Sequence, residues 1–335
     1  MKNILITGGA GFIGSHTAVQ LVEAGLNPII IDDLSNSHEK VLARLEEITG
    51  KSLVFYKGDC SDRSLLDEIA SAHDISGIIH FAAFKAVGES TEKPLKYYQN
   101  NIGSLLALLD FMKAKQIKDL VFSSSCTVYG QPEILPVTEK TPRQEAESPY
   151  GNTKKICEDI LVDYVKSHPG IRVISLRYFN PVGAHPSGKI GELPIGTPAN
   201  LVPFVTQTAA GIREKLTVFG DDYDTPDGSC VRDFIHVMDL ADAHVKALGY
   251  LGEQQVDFYD VFNVGTGKGN TVLEVIRTFE RVNGVKLNFE IGSRRAGDIV
   301  KIWADTTKIN SVLKWQPSFS LEDSMRDSWN WQIKL

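Results

Sequence analysis

The chain has 335 residues, 42% of them hydrophobic and 23% charged, and a formal net charge of −7. That length exceeds what one small core needs, so two lobes are expected, and the acidic balance argues against nucleic acid, whose phosphates need a basic surface. No apolar run approaches the roughly 18 residues of a membrane span.

Cys60, Cys126, Cys157 and Cys230 are scattered, without metal or disulfide spacing. Met1–Thr7 has no secretory pattern. A reducing cytoplasm and no bound metal are the expectations.

In chain order, Asn3–Thr7 is a short apolar run that reads as a buried strand. Gly8-Gly9-Ala10-Gly11-Phe12-Ile13-Gly14 follows, with helical periodicity from Ser15 to Ala24. Gly25 ends that helix, and Pro28–Ile31 resumes as a strand that runs into Asp32. Glycines let a backbone approach a pyrophosphate, and a helix N-terminus supplies amides and the positive end of a dipole. Asp32 is placed for the adenosine ribose hydroxyls, where a carboxylate disfavours a 2′-phosphate. NAD is therefore the expected cofactor.

The α/β rhythm continues with strands at Leu53–Tyr56, Gly77–Phe81, Leu120–Phe122 and Ile171–Arg177. Asp59, beside Cys60, either reaches the adenine or caps the helix over 64–71. Phe81, Ala82 and Lys85 leave the fourth strand where a cofactor ribose would lie, whereas His80 reads as a packed histidine. A long helix from Pro94 to Lys115 carries Asn100 and an apolar stripe of Leu105, Leu106, Leu108, Leu109 and Met112. The stripe suits a core, and part of it a dimer face. The fifth strand delivers Ser123–Ser125 to the sheet edge where doubly wound folds bind ligands.

Ser148-Pro149-Tyr150-Gly151-Asn152-Thr153-Lys154 carries the expected chemistry. One helical turn puts Tyr150 and Lys154 on a single face. A phenol titrates at about 10, so a tyrosinate base near pH 7 needs roughly 4 kcal/mol of preferential stabilisation. One cation at hydrogen-bonding distance supplies about that much at an effective dielectric near 20. Ser125 is a candidate hydroxyl partner for the same ligand oxygen.

Around Tyr178-Phe179-Asn180-Pro181 the rhythm breaks. The division expected is a Rossmann-type, doubly wound parallel sheet over 1–180 and a smaller α/β lobe over 181–335, with part of 231–265 packing back on the first. The second lobe shows a helix near Asn200–Ile212, a strand at Leu216–Phe219, helices near 238–250 and 271–283, and a strand-like Leu287–Glu290. Arg232 and the Arg294–Arg295 pair suit either an anionic ligand such as a diphosphate or ion pairs with Asp233 and Asp298.

These motifs resemble the extended short-chain dehydrogenases/reductases, and among them the UDP-sugar 4-epimerases. The resemblance rests on Gly8–Gly14, His80–Ser90, Ser123–Gly130, Tyr150–Lys154, Tyr178–Pro181, Val231–Leu240 and Arg295-Ala296-Gly297-Asp298. It implies reversible inversion at C4 of UDP-glucose and UDP-galactose through a transient 4-keto sugar, by a homodimer that holds NAD throughout. By the same resemblance Tyr150 is the base, Lys154 lowers its pKa and Ser125 steadies the sugar oxygen. Gly8, Gly11, Phe12, Ile13, Gly14, Asp32, Asn36, Asp59, Cys60, Phe81, Ala82, Lys85, Asn100 and Tyr178 fall at cofactor positions. Asn180, Asn200, Leu201, Phe219, Arg232, Arg295, Asp298 and Ile302 fall at nucleotide-sugar positions. Ile302 is intermediate in size between the Tyr of members restricted to glucose and galactose and the smaller residues of those accepting N-acetylated sugars. It implies slower exchange of UDP-GlcNAc and UDP-GalNAc.

Two alternatives share this scaffold. A related dehydratase uses an Asp-Glu pair directly after the strand-five hydroxyl, where this chain has Cys126 and Thr127; decarboxylating relatives also remain open. A non-catalytic NAD-binding regulator typically lacks the Tyr or the Lys, and both are present.

Overall fold

The computed structural model describes residues 1–254, 257–295 and 298–335, so Ala296 and Gly297 of the last motif lie outside the described residues. The first half alternates strand and helix: β1 (Asn3–Thr7), α1 (Phe12–Glu23), β2 (Asn27–Asp32), α2 (Lys40–Thr49), β3 (Val54–Lys57), α3 (Arg63–Ala72) and β4 (Ile75–His80). There follow α4 (Val87–Glu92), α5 (Pro94–Tyr97), α6 (Gly103–Lys115), β5 (Asp119–Ser125), α7 (Pro149–Ser167) and β6 (Arg172–Tyr178). The second half contains β7 (Asn180–Val182), α8 (Leu201–Ala209), β8 (Leu216–Phe219), β9 (Val231–Arg232), β10 (Phe234–His236) and α9 (Val237–Glu253). It ends with β11 (Phe258–Val264), β12 (Asn270–Thr271), α10 (Val272–Asn283), β13 (Phe289–Gly292), β14 (Lys301–Ile302), α11 (Thr307–Val312) and α12 (Leu321–Gln332).

Seven strands form one parallel sheet in the order β11-β6-β5-β4-β1-β2-β3. Both faces are covered, which is why its strands are continuous apolar runs. Successive side chains point to opposite faces. Ile4, Ile6, Ile30, Ile79, Val121 and Ile174 pack on one side with Ala18 and Val19 of α1 and Leu240 and Ala247 of α9. Leu5, Ile29, Ile31, Ile78, Leu120 and Val173 pack on the other with Leu66, Leu108, Met112 and Leu161.

The strand order reverses between β1 and β4, and a crevice opens at the carboxyl ends there. A second core joins Val202, Val205, Leu216, Val218, Phe234, Ile276, Phe279 and Met325. A third, smaller cluster of Cys126, Val128, Tyr129, Val137, Phe179, Ile302 and Ala304 lies behind the end of β5.

Two of the differences from the sequence expectation bear on the site. The first helix begins at Phe12, not Ser15. Gly14 therefore lies inside its first turn, because the absence of a side chain lets the helix start against the turn itself. The helix from Pro94 to Lys115 contains a π-turn at Tyr98–Ile102, which carries Asn100. Within its stripe Leu105, Leu108, Leu109 and Met112 are buried, but Leu106 is 48% exposed and is not core.

Candidate active site

The glycine turn has a steric cause that can be measured. Gly8 has φ +67°, and an added Cβ would stand 2.9 Å from the Ala82 amide nitrogen. A Cβ on Gly14 would stand 2.3 Å from the Gly8 carbonyl oxygen, and one on Gly11 3.2 Å from it. The turn is a bare backbone cradle under the loop that leaves β4, with the first amides of α1 facing it.

Asp32 ends β2 beside this cradle, and its carboxylate accepts hydrogen bonds from the Ala10 amide at 3.0 Å, the Leu34 amide at 2.9 Å and the Ser37 hydroxyl at 2.7 Å. A carboxylate offers about four acceptor positions, so one remains for a ligand hydroxyl. Asn36 is exposed in the following loop.

Asp59 does not cap α3; Asp62 does, accepting from the Ser64 and Leu65 amides. Asp59 instead lines a polar pocket with Asn100, Gln99 and Lys96. Cys60 beside it is buried, and its thiol is pushed up to about 12 by that burial. Phe12 and Ile13 lie in the first turn of α1, where Ile13 packs against the core. Phe81 packs on His244, and the Ala82 amide donates to Thr7 Oγ1 at 3.3 Å. His80 bonds Thr7 Oγ1 at 2.7 Å, and burial lowers it to about 3, so it stays neutral.

Ser148 caps α7, its hydroxyl accepting from the Gly151 amide at 3.2 Å, and Pro149 fits the first turn, which needs no amide donor. That start fixes the phase of the helix and aims Tyr150 and Lys154 at the end of β5. They share that helix face as expected, and no hydrogen bond joins them among the described residues. Lys154 Nζ donates to the Ser123 carbonyl at 2.6 Å and to Ser123 Oγ at 3.4 Å. Burial lowers the Lys154 ammonium to about 8. Burial also drives the Tyr150 phenol up to about 12, with the Ser125 hydroxyl drawing it down.

Ser125 Oγ accepts from the Thr127 amide at 3.2 Å, and in register Ser125 faces Tyr178. The Tyr178 phenol bonds His244 Nε2 and is held well above its ordinary value by burial.

In the second half, Arg295 Nη2 pairs with Asp298 Oδ1 at 2.6 Å, and Arg232 Nη2 stands 3.9 Å from the same oxygen. Arg295 also lies over the Phe219 ring, 5.5 Å from its centroid. The expected ion pair with Asp298 is thus present, while Asp233 is fully committed elsewhere, accepting from Thr266, Gly267 and Ala304. Arg294 does not join the cluster. It pairs with Asp222 at 2.7 Å and stacks over Tyr223, because Gly220 lets the loop fold under it.

Asn180 bonds the Asp233 carbonyl through its amide, Asn200 and Leu201 start α8, and Ile302 is buried in the cluster behind β5. Ser123, one of the three serines expected at this edge, receives Lys154. The sequence reading missed two residues: Asn101 bonds Thr153, which lies between Tyr150 and Lys154, at 3.1 Å, and Glu158 forms a buried pair with Arg177 at 2.6 Å. Glu158 had a signal, since it continues the four-residue spacing of Tyr150 and Lys154 on one helix face.

The chain matches the family model described as GDP-mannose 4,6 dehydratase over residues 5–328. It is 49% identical over 330 residues to UDP-glucose 4-epimerase of Erwinia amylovora, covering 98% of this chain and 97% of that one. The counterpart from Dictyostelium discoideum is 49% identical over 329 residues, with 98% and 95% coverage. A solved UDP-glucose 4-epimerase of Bifidobacterium longum, in complex with NAD+ and UDP, superposes with a TM-score of 0.96 at 45% identity, over 99% of this chain and 98% of that one.

The chain belongs to the UDP-glucose 4-epimerase family of extended short-chain dehydrogenases/reductases. The dehydratase alternative fails on the residues after Ser125. Cys126 and Thr127 stand where an acid pair would be needed, and burial pushes the Cys126 thiol up to about 12, too weak an acid to supply one. No helix among the described residues is long and apolar enough to cross a membrane, and no group of three metal-ligating side chains occurs among them. All four cysteines are free and buried.

Proposed function

We infer that the chain interconverts UDP-glucose and UDP-galactose by inverting C4 through a transient 4-keto sugar, with NAD held on the Gly8–Gly14 turn. The observation that carries this is the Tyr150 phenol beside the Ser125 hydroxyl at the end of β5, with the buried Lys154 ammonium anchored on Ser123 of the same strand, next to a cradle that a Cβ would fill. Bound NAD supplies a hydride acceptor for C4 and a positive charge near the phenol.

The chain's own residues do the rest. Tyr150 takes the proton from the sugar 4-hydroxyl and returns it, while Ser125 holds the same oxygen. Lys154, anchored on Ser123, keeps a positive charge behind the phenol and binds the cofactor ribose. Gly8, Gly11, Phe12, Ile13 and Gly14 approach the pyrophosphate, Asp32 and Asn36 hold the adenosine ribose, and Asp59, Cys60 and Asn100 form the adenine side. Phe81, Ala82, Lys85 and Tyr178 close the nicotinamide side.

On the substrate side Arg232 and Arg295 clamp the diphosphate. Asp298, which pairs with Arg295 and stands 3.9 Å from Arg232, turns to the uridine ribose, and Phe219 meets the base. Asn180, Asn200 and Leu201 complete this wall. Tight anchoring of the nucleotide with a loose grip on the sugar lets the keto sugar present its other face before reduction.

The division at residue 180 separates cofactor side from substrate side in this reading. Ile302 permits N-acetylated sugars at a lower rate; a Campylobacter jejuni UDP-Glc/GlcNAc 4-epimerase, 36% identical over 100% of both chains with a TM-score of 0.85, supports that range. The exposed Leu106 supports pairing into a homodimer through α6, and four free cysteines suit the cytoplasm. The test is to supply UDP-galactose to the protein as purified and follow UDP-glucose by proton NMR. Formation of both sugars without added NAD is expected; no conversion, even with NAD added, overturns the reading.

A further inference from the structure

The segment 183–200 crosses between the two halves and is fastened from both sides. From α2, Arg44 Nη1 donates to the Lys189 carbonyl at 3.2 Å, and Glu47 pairs with Lys189 at 2.8 Å. From α12 and the residues just beyond it, Asn330 donates to the Pro186 carbonyl at 3.1 Å, Lys334 to the Ser187 carbonyl at 2.8 Å and Trp331 Nε1 to the Glu192 carbonyl at 3.1 Å. A Cβ on Gly191 would stand 2.5 Å from the Trp331 ring, so the backbone is pressed against the indole there.

This fixed backbone presents one carboxylate. Glu192 Oε1 accepts from Lys85 Nζ at 2.9 Å and from Asn200 Nδ2 at 2.6 Å. Lys85 belongs to the loop that covers the Gly8 turn, and Asn200 is the N-cap of α8, where its side chain makes no capping bond. A single oxygen therefore joins a donor from the cofactor side to a donor from the nucleotide-sugar side.

We infer that Glu192 is a positioning residue that couples the two ligand sites by holding Lys85 and Asn200 together. The inference rests on the NAD and UDP-sugar sites proposed above. Lys85 has a long flexible stem and its side chain is 46% exposed, so the pair contributes little to folding. Its effect belongs in ligand affinity. Drawing Lys85 toward an anionic cofactor changes what Oε1 offers to Asn200, and linkage makes the effect reciprocal.

The test uses NAD-loaded and NAD-depleted full-length protein, with UDP as the probe, by titration calorimetry. Saturating UDP is expected to tighten NAD binding about five-fold or more in the wild type, within the usual span of coupling between sites. In Glu192→Ala both affinities are expected to fall and the coupling to shrink toward one, with an unchanged melting temperature. Glu192→Gln retains an acceptor for Asn200 but not the charge that holds Lys85. It is expected to recover UDP affinity without recovering the coupling, and it carries the test if the alanine variant does not fold. No coupling in the wild type, coupling within about two-fold of wild type in both variants, or a fall in melting temperature alone overturns the inference. Epimerisation by the wild type is checked in the same preparation. Its failure removes the proposed function, whereas wild-type turnover with unaltered coupling in the variants removes only the role of Glu192.

Discussion

The ammonium of Lys154 is bonded to the carbonyl of Ser123 at 2.6 Å, and the phenol of Tyr150, one turn earlier on the same helix face, lies beside Ser125 instead. Burial holds the phenol at about 12 and pulls the ammonium down to about 8, so the proposed base needs a further cation beside it to act near neutral pH. Burial penalises whichever form carries charge, so it raises an acid such as phenol and lowers an ammonium. A cation added beside Tyr150 reverses the first effect.

The tyrosinate absorbance of wild type minus Tyr150→Phe should then titrate near 12 without cofactor and at a distinctly lower pH once NAD is loaded. Because the base acts deprotonated, kcat/KM should rise with pH through that lowered value. Tyr150→Phe should lose about 100-fold or more of the epimerisation rate, the usual span of general base catalysis, while retaining NAD. Near-full activity in that variant would show that Tyr150 is not the base.

Gly14→Ala and Gly249→Ala form a contrasting pair. A methyl on Gly14 would stand 2.3 Å from the Gly8 carbonyl oxygen, whereas at Gly249, exposed within α9, nothing lies within 4 Å. The first should lose bound NAD and melt earlier. The second should be neutral or stabilising by about 0.5–1 kcal/mol, since alanine outranks glycine inside a helix. Thermal melting and the NAD content of the purified proteins measure both.

The arginines separate by partner. Arg232 and Arg295 converge on Asp298, whereas Arg294 is engaged with Asp222, whose side chain is 67% exposed. Alanine at Arg232 or Arg295 should weaken UDP binding by about ten-fold or more, as loss of a charge-assisted bond to phosphate would. Arg294→Ala should leave it within about two-fold, because exposed pairs contribute little. Calorimetry with UDP on the three variants decides; equal losses would place all three on the ligand.

Ile302 is 1% exposed among Cys126, Tyr129, Val137 and Phe179. Ile302→Ala should raise the rate on UDP-GlcNAc relative to UDP-glucose, at a cost of about 2–4 kcal/mol for the cavity left behind. Rates by NMR, paired with denaturant melts, check both halves. An unchanged ratio would mean that this wall does not meet the sugar.

Local physics was enough for much of the chain. Spacing alone places strands at Asn3–Thr7 and Leu216–Phe219 with their observed bounds, because a buried strand must be a short apolar run. The glycine turn, Asp32 at the end of β2, and Tyr150 and Lys154 on one face of α7 are likewise properties of neighbours in sequence.

What the sequence left undecided was every choice of partner across long separations. Lys154 takes Ser123, Arg294 takes Asp222, and Glu192 ties Lys85 to Asn200. The physical reason is that periodicity reports which face of an element is buried. It does not report which charged group, 31 residues away for Lys154 and Ser123 or 107 for Lys85 and Glu192, the assembled lobes bring within hydrogen-bonding reach. Only the packed structure decides that.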